Sequence, residues 1–200
     1  MRHPIISAFS ALAILAAAGG AWAASAGEQI AAQQVVNPRI FAQGDDPYPD
    51  HQVAFAGGVT GIPDLTYQIL PGYRPMKLDL YLPPAALAGP RPVVIYIHGG
   101  GWMGGGPRLS GAFDNWPKVL ASIAAHGYVV ASVSYRFSDE APHPAAIQNV
   151  KAAIRWLRAN AGKYRIDTGR FMSWGGSAGG QLAALAATSC GVAALDPPSA

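Results

Sequence analysis

Ser177 stands in the run Gly175-Gly176-Ser177-Ala178-Gly179-Gly180, after the apolar segment Arg170-Phe171-Met172-Ser173-Trp174 and before a second apolar stretch. Small residues two before and two after a serine let the chain double back at a sharp strand-to-helix turn. Such a turn projects the hydroxyl above a sheet and points the positive end of the following helix at it. That arrangement suits acyl transfer, in which a serine oxygen attacks a carbonyl and a negative charge develops on the carbonyl oxygen. A second run, His98-Gly99-Gly100-Gly101-Trp102, follows the β-branched segment Val93-Val94-Ile95-Tyr96-Ile97. Three consecutive glycines offer bare N–H groups to a developing negative charge with no Cβ in the way. Gly100 and Gly101, with the N–H of Ala178, are the expected oxyanion hole for an attack by Ser177. A phosphate-binding reading fails, because no Gly-x-x-x-x-Gly-Lys-Ser/Thr pattern is present and Gly104-Gly105-Gly106 lacks a following lysine.

Both runs need rigid elements to place them. Thr66 to Leu70 and Met76 to Leu82 alternate apolar and polar residues as half-exposed strands do, with Pro71-Gly72-Tyr73-Arg74-Pro75 as the turn between them. Val93 to Ile97 and Tyr128 to Val133 are apolar on both faces, the pattern of central parallel strands covered by helices on each side. Arg170 to Trp174 forms a fifth strand running into the Ser177 turn. Phe113, Trp116, Leu120 and Ile123 share one helical face, closed by His126-Gly127. Ile147, Val150, Ile154 and Leu157 share another, with Pro144 at its first turn, and a third helix runs from Ala178 to about Cys190. The expected fold class is α/β: an antiparallel pair, then parallel strands with flanking helices.

Together with Ser134-Tyr135-Arg136-Phe137 and the stretch Ala141 to Asn160, the two runs resemble the bacterial carboxylesterase and lipase branch of the α/β-hydrolases. That branch is hormone-sensitive-lipase-like and includes feruloyl- and acetyl-esterase-like enzymes. The resemblance covers about Thr66 to Thr188. It implies an α/β-hydrolase sheet, Ser177 as nucleophile, and Gly100, Gly101 and Ala178 as oxyanion donors. By the same resemblance His98 braces the glycine loop and is not the base, and Trp102 lines the acyl or alcohol pocket. It implies no metal or organic cofactor, and a small-molecule or polysaccharide-linked ester as substrate.

In this superfamily the triad acid and histidine follow the serine in the chain. The 23 residues after Ser177 hold one acid, Asp196, and no histidine. Asp196, in Leu195-Asp196-Pro197-Pro198, reads as a loop residue. His51, His126 and His143 precede Ser177 and read as structural or exposed, with His143 the one that could approach the pocket. The expectation is that the chain is the N-terminal part of a longer enzyme. The later strands of the sheet, the triad acid and the triad histidine are then missing from it, and the chain alone is inactive. A serine peptidase of the same superfamily and a noncatalytic binding protein of this fold stay open as alternatives.

Composition frames the rest. Of 200 residues, half are apolar and 12% are charged, enough for one domain with a core. A net charge of +3 without a basic stripe gives no reason to expect nucleic acid. Arg2 and His3, the apolar stretch Ile5 to Ala18 and the small residues up to Ala23 read as a secretory signal peptide cut after Ala23. No stable membrane span remains after cleavage, and the expected location is periplasmic or secreted. Residues 24–57 read as an arm or linker and 58–200 as the hydrolase domain. Cys190 is the single cysteine, so neither an internal disulfide nor a thiolate metal cluster is expected.

Overall fold

A computed structural model describes residues 51–196. The signal peptide expected over 1–23 and most of the arm expected over 24–57 lie outside the described residues. Six strands form one sheet: β1 (Val53–Phe55), β2 (Val59–Gln68), β3 (Met76–Leu82), β4 (Arg91–Ile97), β5 (Val129–Val133) and β6 (Ile166–Gly175). Their order across the sheet is β1-β2-β3-β5-β4-β6. The first pairings, β1 with β2, β2 with β3 and β3 with β5, are antiparallel. β4 then pairs in parallel with β5 on one side and β6 on the other. The sheet therefore has the composition that the alternating and continuous apolar runs predict. β2 and β6 begin at Val59 and Ile166, ahead of the Thr66 and Arg170 that the sequence pattern gives, and β1 is an added strand, since that pattern assigns Val53–Phe55 to the arm. Three residues are too few to show a period, and the pairing with β2 fixes them.

Continuous apolar runs give β4 a core on each face. Val93, Ile95 and Ile97 pack on one side with Leu78, Leu80, Val129, Ala131 and Val133, while Val94 and Tyr96 pack on the other with Tyr81 and Val130. Helix α1 (Trp116–Ala125) covers the second face through Trp116, Leu120, Ala121 and Ala124. Asn115 caps it, its Oδ1 accepting from the Lys118 N–H at 3.1 Å, and Pro117 follows in the first turn. That cap places Phe113 outside the helix, although it shares the face in the sequence. Helix α2 (Ala145–Ala159) covers the first face with Ile147, Val150 and Leu157. After the single-turn α3 (Ala161–Tyr164) and β6 comes α4 (Ala178–Thr188), which packs Leu182 and Ala183 into the same core. Truncating a fully buried side chain such as Leu120 or Leu157 costs about 2–5 kcal/mol.

Two buried polar residues on α2 fix its neighbours. Lys151, 5% exposed, donates from Nζ to the Ser189 carbonyl at 2.6 Å, a cation at the C-terminal end of α4. Asn149, fully buried, accepts at Oδ1 from the N–H and Nε of Arg136 and donates to Gln68 Oε1 at 2.7 Å. Helix α4 is thereby held at its far end while its near end carries Ser177.

Candidate active site

Ser177 occupies the N-cap of α4 with φ 52° and ψ −124°. Serine at an N-cap ordinarily has extended backbone and accepts from an N–H of the first turn. Here the left-handed φ turns the side chain away and no side-chain cap bond forms. The residue is exposed, and its hydroxyl has no partner among the described residues. A non-glycine in this region of backbone space costs on the order of 1–3 kcal/mol and persists only where its surroundings dictate it. The surroundings are glycines. A Cβ on Gly175 would meet Gly179 and the Ile97 carbonyl at 2.5 Å, and one on Gly179 would strike the Ile97 carbonyl outright. The elbow is thus wedged against the end of β4, the strand from which the glycine loop departs.

That loop runs beside Ser177. A Cβ on Gly99 would lie 2.9 Å from the Gly176 carbonyl and 3.6 Å from the Ser177 Cβ. Gly100, at φ 122°, has the Gly104 carbonyl where a Cβ would go, so no other residue fits. Gly101 and Trp102 follow at φ 61° and 58°. The N–H groups of Gly100, Gly101 and Ala178 donate to no backbone carbonyl among the described residues, whereas those of Met103 and Gly179 do.

His98 is 1% exposed beneath this loop. Its Nδ1 lies 2.8 Å from the Gly99 carbonyl, which can only accept, so the proton sits on Nδ1. The ring stacks on Tyr135 at 4.4 Å, and the Tyr135 hydroxyl donates to the His98 carbonyl at 2.9 Å. Burial lowers the His98 pKa below its ordinary value despite the carbonyl that favours the charged form. The result is a neutral, enclosed imidazole lying against the backbone of the glycine loop. Tyr135 belongs to the β5–α2 loop, which Arg74 grips. Its Nε and Nη2 donate to Glu140 at 2.6 and 2.9 Å, and Nη2 also donates to the Tyr135 carbonyl at 2.8 Å.

Beside the elbow opens a cleft of about 180 Å³ walled by Trp102, Arg136, Ser138, His143, Gln181 and Leu182. Gln181 lies one helical turn from Ser177, its N–H donating to the Ser177 carbonyl at 3.1 Å. Ser138 is tied to the glycine loop through its N–H, which donates to the Trp102 carbonyl at 2.8 Å. The structure therefore brings Trp102 and His143 together in one cleft with Gln181. Arg136, Ser138 and Gln181 are site neighbours that motif spacing does not single out. Arg136 stands in the Ser134–Phe137 stretch that carries the family resemblance, and the polar Asn149 beside the apolar stripe of α2, which needs a buried partner, is a second signal. The other acid and histidines are elsewhere. Asp196 pairs with Arg155 of α2, His126 is exposed with Nδ1 2.8 Å from the Ser122 carbonyl, and His51 is exposed. Among the described residues no cluster of three histidine, cysteine or carboxylate side chains could hold a metal, and no helix is long and apolar enough to cross a membrane.

The model of the BD-FAE family matches residues 78–199. The carboxylesterase NlhH of Mycobacterium tuberculosis is 36% identical over 116 residues, 58% of this chain and 34% of that protein. Esterase LipC of the same organism is 40% identical over 108 residues, 54% of this chain and 25% of that protein. The chain thus spans about a third or less of the length of these curated relatives. Among solved structures, a truncated form of a carbohydrate esterase from gut microbiota is 32% identical with a TM-score of 0.55, covering 73% of this chain and 47% of that one. A bacterial heroin esterase is 32% identical with a TM-score of 0.52, covering 66% and 39%.

Proposed function

This chain belongs to the BD-FAE family, among the bacterial hormone-sensitive-lipase-like α/β-hydrolase esterases, and from that premise we propose that Ser177 is the nucleophile of a carboxylic ester hydrolase. The observation that carries this reading is the backbone of Ser177 itself, strained at an N-cap yet making no cap bond. Strain of this kind is retained where the group it presents is used. In the proposed reaction a base takes the Ser177 proton, Oγ attacks the ester carbonyl, and the tetrahedral oxyanion is held by the N–H groups of Gly100, Gly101 and Ala178. Collapse expels the alcohol and leaves an acyl-serine, which water cleaves by the same steps. His98 positions the oxyanion loop from below and takes no part in proton transfer. Trp102 forms the wall against which the substrate lies.

No general base is assigned among the described residues. His98 is enclosed, His51 and His126 are exposed, and His143 faces the cleft with Gln181. A polypeptide limited to these 200 residues is accordingly expected to turn over no ester. The leader-like pattern of residues 1–23 supports export, which N-terminal sequencing of periplasmic protein would test. The substrate class proposed is a small-molecule or polysaccharide-linked carboxylic ester.

The full-length protein tests the assignment directly. Ser177→Ala is expected to lower kcat on a para-nitrophenyl acyl ester by at least roughly 10⁴-fold with the fold intact. A fluorophosphonate should add its mass to the peptide containing Ser177 in the wild type alone. Labelling also separates an esterase from a noncatalytic protein of the same fold, and retained turnover in the alanine variant would remove Ser177 from the mechanism.

A further inference from the structure

Arg136 is 9% exposed and makes no ion pair among the described residues. Its Nε donates to Asn149 Oδ1 at 2.9 Å and its Nη2 to the Ala145 carbonyl at 3.3 Å, while the Tyr73 ring lies 4.9 Å from Cζ. Nη1 has no partner among the described residues. The carboxylate of Glu140, which feels the Arg136 charge through space, is already taken up by Arg74 and by the Phe137 N–H at 2.7 Å. Glu140 thus reaches Arg136 only through space, and a buried cation whose direct partners are all neutral is costly unless something else brings a negative charge against it. Arg136 lines the cleft, in company with Ser138, His143 and Gln181 and with no carboxylate on the wall. The neutral acceptors of Asn149 and Ala145 fix the guanidinium plane from behind and leave its remaining edge for a ligand. A planar fork held this way matches a carboxylate better than it matches a hydroxyl or a carbonyl.

We propose that this cleft is a carboxylate subsite of the esterase, so that preferred substrates carry a free carboxylate on their acyl or alcohol part and Arg136 selects them. The inference rests on Ser177 as the nucleophile, since Gln181 of the cleft wall lies one helical turn from that residue. Ser138 and Gln181 supply further donors at the rim, and Trp102 packs against the carbon skeleton between carboxylate and ester.

The test compares matched esters with the full-length protein. Para-nitrophenyl hemiglutarate is set against para-nitrophenyl valerate for a carboxylate on the acyl side. Para-acetoxybenzoate is set against phenyl acetate for one on the alcohol side. In at least one pair kcat/KM should favour the charged ester by about tenfold or more, and Arg136→Gln should lower that ratio by about tenfold, as expected for one charge-assisted contact. Arg136→Lys keeps the charge but not the fork and should fall between. A ratio near one in both pairs, or a parallel loss on charged and neutral esters alike, overturns the proposal and leaves Arg136 a structural residue. Should Arg136→Gln fail to fold, inhibition of the wild type decides: glutarate should bind about tenfold tighter than glutaramide, and equal inhibition overturns the subsite. Calorimetry of glutarate with Ser177→Ala protein needs no turnover. Arg136-dependent binding in a protein that hydrolyses nothing would sink the Ser177 reading and keep the subsite. Turnover without carboxylate preference or glutarate binding would do the reverse.

Discussion

At the scale of single residues, the elbow is a problem of backbone clearance. Ser177 can adopt its left-handed conformation because the flanking glycines let the chain pass within contact distance of β4. The glycines around it are not equivalent. A Cβ on Gly176 would meet nothing within 4 Å, whereas one on Gly179 would overlap the Ile97 carbonyl. Gly179→Ala is therefore expected to push α4 off the sheet. A backbone collision of this kind costs about 3 kcal/mol or more, which for a domain of this size lowers Tm by roughly 6–12 °C. Gly176→Ala should leave Tm almost where it was. Thermal unfolding of the two variants followed by circular dichroism checks the contrast, and equal shifts would mean that the elbow relaxes at no cost.

At the scale of elements, the loop from β5 to α2 is the part least legible in the sequence. The strands and helices declare themselves through period: β4 and β5 by unbroken β-branched runs, α2 by its stripe from Ile147 to Leu157. The two glycine runs point to the proposed nucleophile and oxyanion loop because that chemistry needs bare backbone at fixed spacing. Residues 134–144 have neither period nor glycine signature. Yet they supply Tyr135 beneath the glycine loop and Arg136 and His143 to the cleft. Their placement depends on side chains far away in sequence, Arg74 from the β2–β3 turn and Asn149 from α2, and such pairings leave no local trace. β1 escapes a sequence reading for a related reason, being defined by its partner.

The Arg74–Glu140 clamp gives that loop a pH dependence with a definite sign. Burial alone would raise the Glu140 carboxyl, but the bonds from Arg74 and the Phe137 N–H outweigh it and hold its pKa below the ordinary glutamate value of 4.5. A group with a depressed folded pKa contributes its stabilisation fully above the unfolded value. That contribution is lost as pH falls through the lower, folded value. Glu140→Gln should thus destabilise by less than about 1 kcal/mol near neutral pH, because the pair is partly exposed and screened. The gap between variant and wild type should stay constant down to about pH 4.5 and close below it. Tm measured across that range reads the gap directly; a gap that widens on acidification would show that Glu140 is not the group holding the loop.

At the scale of the whole molecule, strand order decides which surface is vulnerable. β6 carries the elbow, yet among the described residues it pairs on one side only, with β4. Its side chains alternate, Phe171 packing against the α2–α4 core and Met172 and Trp174 facing the other way. On that second face α1 covers β4 and β5 through Trp116 and Leu120 and reaches β6 only through Trp116 against Trp174. Trp174 is 40% and Met172 54% exposed, continuing an aromatic cluster through Trp116, 5.5 Å from Trp174, to the half-exposed Phe113. An open strand edge beside an exposed apolar face is a template for pairing with another copy of itself. The 200-residue polypeptide expressed by itself is therefore expected to self-associate, its apparent mass rising with concentration in light scattering after size exclusion. Met172→Lys sets a charge on the exposed face of β6, where natural sheets place lysine to block such pairing, and should shift the population toward monomer while leaving far-UV circular dichroism unchanged. A wild-type polypeptide that stays monomeric at every concentration would show that the edge is protected in solution. Association undiminished by the lysine would move the contact to another surface.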